Sequence, residues 1–256
     1  MTRLYRTENP GGGTQYVAER DGQWHTVTSD VFAGKVVEGA EFNPEGAKFL
    51  APVAPTKIVC VGLNYRDHAI EQGKPLPPEP LLFIKPSTSV IGPDTPIENP
   101  MWAGRIDHEA ELGLVIGKRA FKVPLNQAMD YVLGLTAVND VTARDLQNKD
   151  SQYTRCKGFD TFAPVGPCIA VGLDGKDLQV RGFVNGQVRQ DSRTPELIFT
   201  IPEMVAFVSS IMTLLPGDII STGTPSGIGP IKPGDSVTVH VEGVGALTNP
   251  VVARTE

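Results

Sequence analysis

Frequent interruption by glycine and proline is what most limits the folds open to this chain. Its 256 residues include 27 glycines and 22 prolines, scattered between short apolar runs instead of gathered in one tail, so a folded, turn-rich architecture is expected. No apolar stretch approaches the roughly 18 residues of a membrane span. Tight hairpins are predicted at Asp21-Gly22, between YVAER and QWHTV, and at Asn185-Gly186, because both dipeptides accept the positive dihedrals of a two-residue turn. The connector Ala51-Pro52-Val53-Ala54-Pro55 opposes a helix and marks a boundary between a small N-terminal β domain, 1–54, and a larger unit, 55–256.

Within the larger unit, Lys57 to Gly62 reads as a buried strand, followed by a short helix over Asp67 to Glu71 that stops at Gly73. The proline-rich KPLPPEP from Lys74 to Pro80 is expected to form a surface lid. A strand over Glu109 to Gly117 would place Glu109, Glu111, Gly113 and Val115 opposite an apolar face of Ala110, Leu112, Leu114 and Ile116. A short helix entered through Pro124 and a strand over Val132 to Asp140 follow, with Asp140 at the polar exit. Thr142 and Asp145 form a capping-box variant, and Thr200-Ile201-Pro202-Glu203 opens a core helix.

Charge narrows the function. With 23 Lys plus Arg against 29 Asp plus Glu, the net charge is −6, which opposes extended nucleic-acid contacts. The three cysteines do not form a staple pattern, and the opening MTRLYRTENPGGG lacks the basic-then-apolar order of a signal peptide, so a cytoplasmic location is expected. No strand-linked GxGxxG, GKS/T or nucleophile elbow is present, which disfavours nucleotide binding and serine catalysis.

The sharpest chemical constellation is Asp107-His108-Glu109-Ala110-Glu111 with the later Asp140. On a strand, Glu109 and Glu111 share a face with Cα atoms about 6.6 Å apart, a spacing that a divalent ion bridges. An all-oxygen set suits Mg²⁺ or Mn²⁺; zinc fits less well, since His108 has the opposite strand parity. Spacing alone leaves open that the two glutamates face solvent and Asp140 caps a turn. It likewise leaves His68 and Glu71 as an ordinary helical pair, Lys85 and Lys157 as surface cations, and Arg144 and Gln147 as a helix-surface bridge.

The ordered segments VGLNYRDHAIEQG, LFIKPSTSVIGP, DHEAELGLVIG, GLTAVNDVTARDLQ, KGFDTFAPVGP and ISTGTPSGIG change those readings. Over about Pro55 to Pro250 the chain resembles the fumarylacetoacetate hydrolase superfamily, especially its small bacterial fumarylpyruvate hydrolase, acylpyruvase and 2-hydroxyhepta-2,4-diene-1,7-dioate isomerase members. The resemblance implies a mixed, β-rich α+β fold with a distorted β-roll, a homodimer, and metal ligation of Mg²⁺ or Mn²⁺ by Glu109, Glu111 and Asp140. It implies that His68 activates water with Glu71 orienting it, and that Lys157 stabilises enolate charge while Lys85 shapes the same field. It also implies that Arg144, Gln147 and Thr224 contact a small 2-oxo acid substrate. The implied reaction is C–C hydrolysis of an acylpyruvate, as in aromatic catabolism, with oxaloacetate decarboxylation or hydroxydienedioate isomerisation as the nearest alternatives and a noncatalytic metabolite-binding oligomer as a more distant one.

Overall fold

A computed structural model describes residues 1–9 and 11–255. Three sheets of twelve, five and three strands form among the described residues, with short helices between them, a mixed and strand-rich α+β architecture.

The largest sheet has at its centre the antiparallel strands Ala110–Ile116 and Val132–Asn139, paired from Ala110↔Asn139 onward. Ala163–Val171 adds antiparallel to the second of these, and Ile219–Ser221 to the first. Lys57–Gly62 then joins Ile219–Ser221 in parallel, and Leu81–Pro86 closes the order antiparallel to Lys57–Gly62. This register brings several chain reversals to one end of the sheet. The exits of Lys57–Gly62, Val132–Asn139 and Ile219–Ser221 all lie beside the entry of Ala110–Ile116. At the other edge Thr2–Glu8 pairs with Ala163–Val171, and the hairpin strands Thr14–Arg20 and Gln23–Val27 follow, so the segment before residue 54 shares this sheet.

Strand Ala110–Ile116 is buried along its whole length, which explains its near-continuous apolar sequence. Its alternation holds: Ala110, Leu112, Leu114 and Ile116 join one core cluster, and Val115 joins another. The first cluster also takes Val180, Val239, Val241 and Leu247 from the five-stranded sheet and Met204, Val205 and Val208 from helix Ile201–Ile211. Thr200 and Glu203 complete the expected capping box of that helix.

Both expected hairpins form, with Asp21 and Gly22 at φ 53° and 83° and Asn185 and Gly186 at 54° and 75°. The short helix entered through Pro124 forms over Leu125–Tyr131 as a 3₁₀ helix. One local expectation is corrected. Thr142 and Asp145 form no capping box: helix Arg144–Lys149 follows Ala143, the Thr142 hydroxyl donates to the Asp140 carbonyl, and Asp145 Oδ2 accepts the Arg105 N–H. Two local groups thus found partners elsewhere. The three cysteines are free and buried, and no described helix is long and apolar enough to cross a membrane.

Candidate active site

The converging strand ends surround a pocket lined by His68, Glu109, Glu111, Asp140, Arg144, Gln147, Lys157 and Thr224, together with Gln72, Lys74, Phe83 and Tyr153. Eight of the ten residues singled out from sequence therefore line one cavity. Glu71 and Lys85 do not; each stands behind a residue that does.

Glu109, Glu111 and Asp140 are buried and offer one oxygen each within 4.8 Å of one another. Geometry assembles them directly. Glu109 and Glu111 flank Ala110 where its strand begins, and Asp140 leaves the neighbouring strand with its N–H bonded to the Glu109 carbonyl at 2.9 Å. Three cations balance part of this charge. Lys157 Nζ bridges Glu109 Oε2 at 2.8 Å and Asp140 Oδ2 at 2.5 Å. Lys85 Nζ donates to Asp140 Oδ1 at 2.6 Å and to the Val141 carbonyl at 3.0 Å. Arg144 donates to Glu109 Oε1 and Gln147 Oε1, while its Nε donates to Asp107 Oδ2 at 2.9 Å.

These contacts act unequally on the carboxylates. Burial raises the Glu109 pKa, but Lys157 and Arg144 outweigh it and hold the group well below the usual carboxylate range. Among the described residues Glu111 receives only the Ser221 hydroxyl and the Gly223 N–H; burial, followed by repulsion from Asp140 and Glu109, pushes it up to about 8. Burial lowers the Lys157 pKa, yet Asp140 and Glu109 together raise it above its ordinary value. Among the described residues no cation contacts Glu111, so near neutral pH it keeps a proton that a bound ion would displace. An oxygen-only donor set fits a hard divalent cation.

The histidine arrives from helix Arg66–Glu71, one residue earlier at its start than expected, with Gly73 just beyond at φ 61°. His68 Nδ1 lies 2.7 Å from Glu71 Oε2, and His68 Nε2 lies 3.0 Å from Gln72 Nε2. An amide nitrogen only donates, so Nε2 is the accepting nitrogen and Nδ1 carries the proton shared with Glu71. Glu71 Oε1 in turn accepts the Gly227 N–H at 2.9 Å. That loop needs its glycines: Gly223 has φ +93° and a Cβ there would lie 2.8 Å from the Asn64 Cβ, while at Gly227 a Cβ would lie 1.9 Å from the Arg189 carbonyl.

Sequence reasoning missed Gln72 and Gln190, and it named Asp107 without giving it a role. Asp107, fully buried, accepts from both Arg105 and Arg144. Gln190, also fully buried, accepts the Ala110 N–H and donates to Thr224 Oγ1. A signal existed for Gln190: with Ser192 it takes the inward parity of strand Gln187–Arg193.

Residues 57–252 match the C-terminal domain of fumarylacetoacetate hydrolase. The chain belongs to the fumarylacetoacetate hydrolase family. Its members are enzymes, hydrolases and isomerases among them. A family structure, 2-hydroxyhepta-2,4-diene-1,7-dioate isomerase from Mycobacterium marinum, shares 40% identity and a TM-score of 0.91 with this chain, covering 100% of each. Fumarylpyruvate hydrolase from Pseudomonas aeruginosa, in complex with Mn²⁺ and pyruvate, shares 31% identity and a TM-score of 0.73 over 80% of this chain and 98% of its own. The mitochondrial oxaloacetate tautomerase fahd2 of Xenopus laevis is 42% identical over 216 residues, 79% of this chain and 68% of that protein.

Proposed function

We propose that this chain is a Mg²⁺- or Mn²⁺-dependent enzyme that moves a proton between the enol and keto forms of a small 2-oxo acid, the step common to tautomerisation and double-bond isomerisation. The observation that carries this reading is the lining of one pocket by His68, backed by Glu71, and by a carboxylate triad with Arg144 beside it. The isomerase and tautomerase likenesses support it.

Glu109, Glu111 and Asp140 would hold the ion, which when bound would polarise the substrate oxygen and favour charge developing there. His68 Nε2 takes the proton from carbon and returns it at the alternative position, and Glu71 keeps the imidazole in the tautomer that leaves Nε2 free to accept. Gln72 must turn aside for this, because its amide occupies that lone pair. Lys157, raised above its ordinary pKa by Asp140 and Glu109 despite burial, stays cationic and steadies enolate charge. Arg144 and Gln147 orient a substrate carboxylate and keto oxygen, and Thr224 contacts the substrate near Ala110. Lys85 acts from behind Asp140. The family resemblance has this enzyme working as a homodimer, and its three cysteines without a staple pattern suit a reducing cytoplasm.

Hydrolysis of an acylpyruvate is the second reading, favoured by the likeness to fumarylpyruvate hydrolase. There His68 takes a proton from water as the oxygen bonds to the distal carbonyl carbon. The C–C bond then breaks toward a pyruvate enolate, which is protonated on carbon.

Chelator-stripped protein, restored with Mg²⁺ or Mn²⁺, should be given oxaloacetate, a hydroxydienedioate, acetylpyruvate and fumarylpyruvate, with products followed by mass spectrometry and enol absorbance. Isomerised product of unchanged mass is expected. Pyruvate plus a carboxylic acid favours hydrolysis, CO₂ favours decarboxylation, and no turnover above the metal-free control favours a noncatalytic binding protein.

A further inference from the structure

The loop carrying Thr224 is tied to strand Gln187–Arg193 through a hydrogen-bond chain whose proton directions are determined by backbone groups. Gln190 Oε1 accepts the Ala110 N–H at 2.9 Å. Its Nε2 donates to the Pro225 carbonyl at 2.8 Å. A backbone N–H can only donate and a carbonyl can only accept, so the amide has one workable orientation. The His108 Nδ1, 3.1 Å from the same Oε1, must then donate as well.

The second amide proton of Gln190 is directed at Thr224 Oγ1, 2.7 Å away. Thr224 Oγ1 is also 2.9 Å from the Ala110 carbonyl, which accepts the only proton the hydroxyl has. A hydroxyl has one donor and two acceptor positions. Here the donor and one acceptor are taken, and Thr224 lines the pocket with one lone pair left.

We infer that the Ala110 carbonyl, by taking the one hydroxyl proton while Gln190 holds the threonine from the other side as a positioning residue, makes the Thr224 hydroxyl an acceptor, so that this wall of the pocket selects ligands bearing an O–H donor, a 2-hydroxy or enol group, over those bearing only carbonyl or carboxylate oxygen. The inference rests on the proposed function insofar as it takes this pocket to be the substrate site. It also gives the site a polarity: the enol form is held by Thr224 and the keto form is not. A ketone or carboxylate oxygen placed there meets lone pair against lone pair.

Isothermal titration calorimetry on the Mg²⁺-loaded protein, with pyruvate and with each enantiomer of lactate, tests this. The readout is the ratio of the lactate to the pyruvate Kd, taken for the better enantiomer. Thr224→Val should raise that ratio roughly 3- to 10-fold, the size of one hydrogen bond, and Thr224→Ser should leave it near the wild-type value. Gln190→Met leaves the Ala110 carbonyl to hold the proton and loosens only the placement of Thr224, so it should raise the ratio by a smaller factor. Thermal melting selects the variants that fold, and either Thr224→Val or Thr224→Ala alone suffices. An unchanged ratio in a folded variant overturns the inference, as does wild-type protein that binds pyruvate but neither lactate. Wild-type protein that binds none of these acids and turns over none of the 2-oxo acids above overturns the proposed function and this assignment with it. Turnover with an unchanged ratio sinks only the assignment.

Discussion

Lys85 Nζ lies 2.6 Å from Asp140 Oδ1, and neither residue has more than a trace of exposed surface. Lys85 stands on the edge strand Leu81–Pro86, opposite Ile58, and its ammonium reaches Asp140 without lining the cavity. Breaking this pair leaves buried Asp140 to Lys157 alone. Lys85→Met is therefore expected to cost about 3 kcal/mol, the low end for a broken buried pair, in chelator-treated protein, read as a shift in urea midpoint at unchanged slope. A loss below about 1 kcal/mol would mean that Asp140 does not depend on Lys85.

Glu71→Gln tests the histidine pair. An amide facing His68 Nδ1 through its nitrogen would donate, forcing the proton onto Nε2 and removing the accepting lone pair. Turnover should fall by about 10²- to 10⁴-fold, with divalent-cation affinity by calorimetry unchanged. Equal loss of metal binding would reassign Glu71 to the cation site.

Asp107→Asn weakens the anchor of Arg144. Asp107 accepts from Arg144 Nε at 2.9 Å and from Arg105 Nε at 2.6 Å, and it lies outside the pocket lining. The guanidinium would lose its fixed plane, and kcat/KM should drop roughly 10- to 100-fold through misplacement. Unaltered kinetics would show that Gln147 and Glu109 suffice to orient Arg144.

Asp218 supplies a pH prediction away from the cavity. Burial raises its pKa, but hydrogen bonds from Lys57, Thr56 and the Leu215 N–H outweigh that and hold the carboxyl below its ordinary 3.8. The folded state thus binds this proton less tightly than the unfolded chain. Its stabilisation is full above the unfolded value and is lost as pH falls through the lower folded one. Asp218→Asn should cost about 3 kcal/mol at pH 7, with the gap from wild type narrowing in the acid range below 3.8. A gap independent of pH would assign the effect to packing.

Much of the cavity was legible through the family resemblance, and local geometry supplied the pairings within it. Glu109 and Glu111 are two residues apart on a strand entrance, Asp140 ends an apolar run, and His68 and Glu71 share a helical face. Those relations follow from periodicities of two and 3.6. Gln190 could not be read the same way, since its partners Ala110 and Thr224 are 80 and 34 positions away and depend on sheet register. Without the resemblance Lys85 would have stood as a surface cation for the same reason: burial of a lysine is set by what packs over it. Thr142 misled because a nearer carbonyl, that of Asp140, won its hydroxyl.

Gly227 joins two supports of the pocket that the chain keeps far apart. Its N–H meets Glu71, and the bare face of its Cα rests against the Arg189 carbonyl, next to Gln190. Any side chain at this point would act as a wedge, moving the histidine's backing carboxylate and the threonine's amide clamp together. Proton abstraction and ligand choice are for that reason mechanically yoked, and neither can be retuned by lengthening residue 227 without disturbing the other.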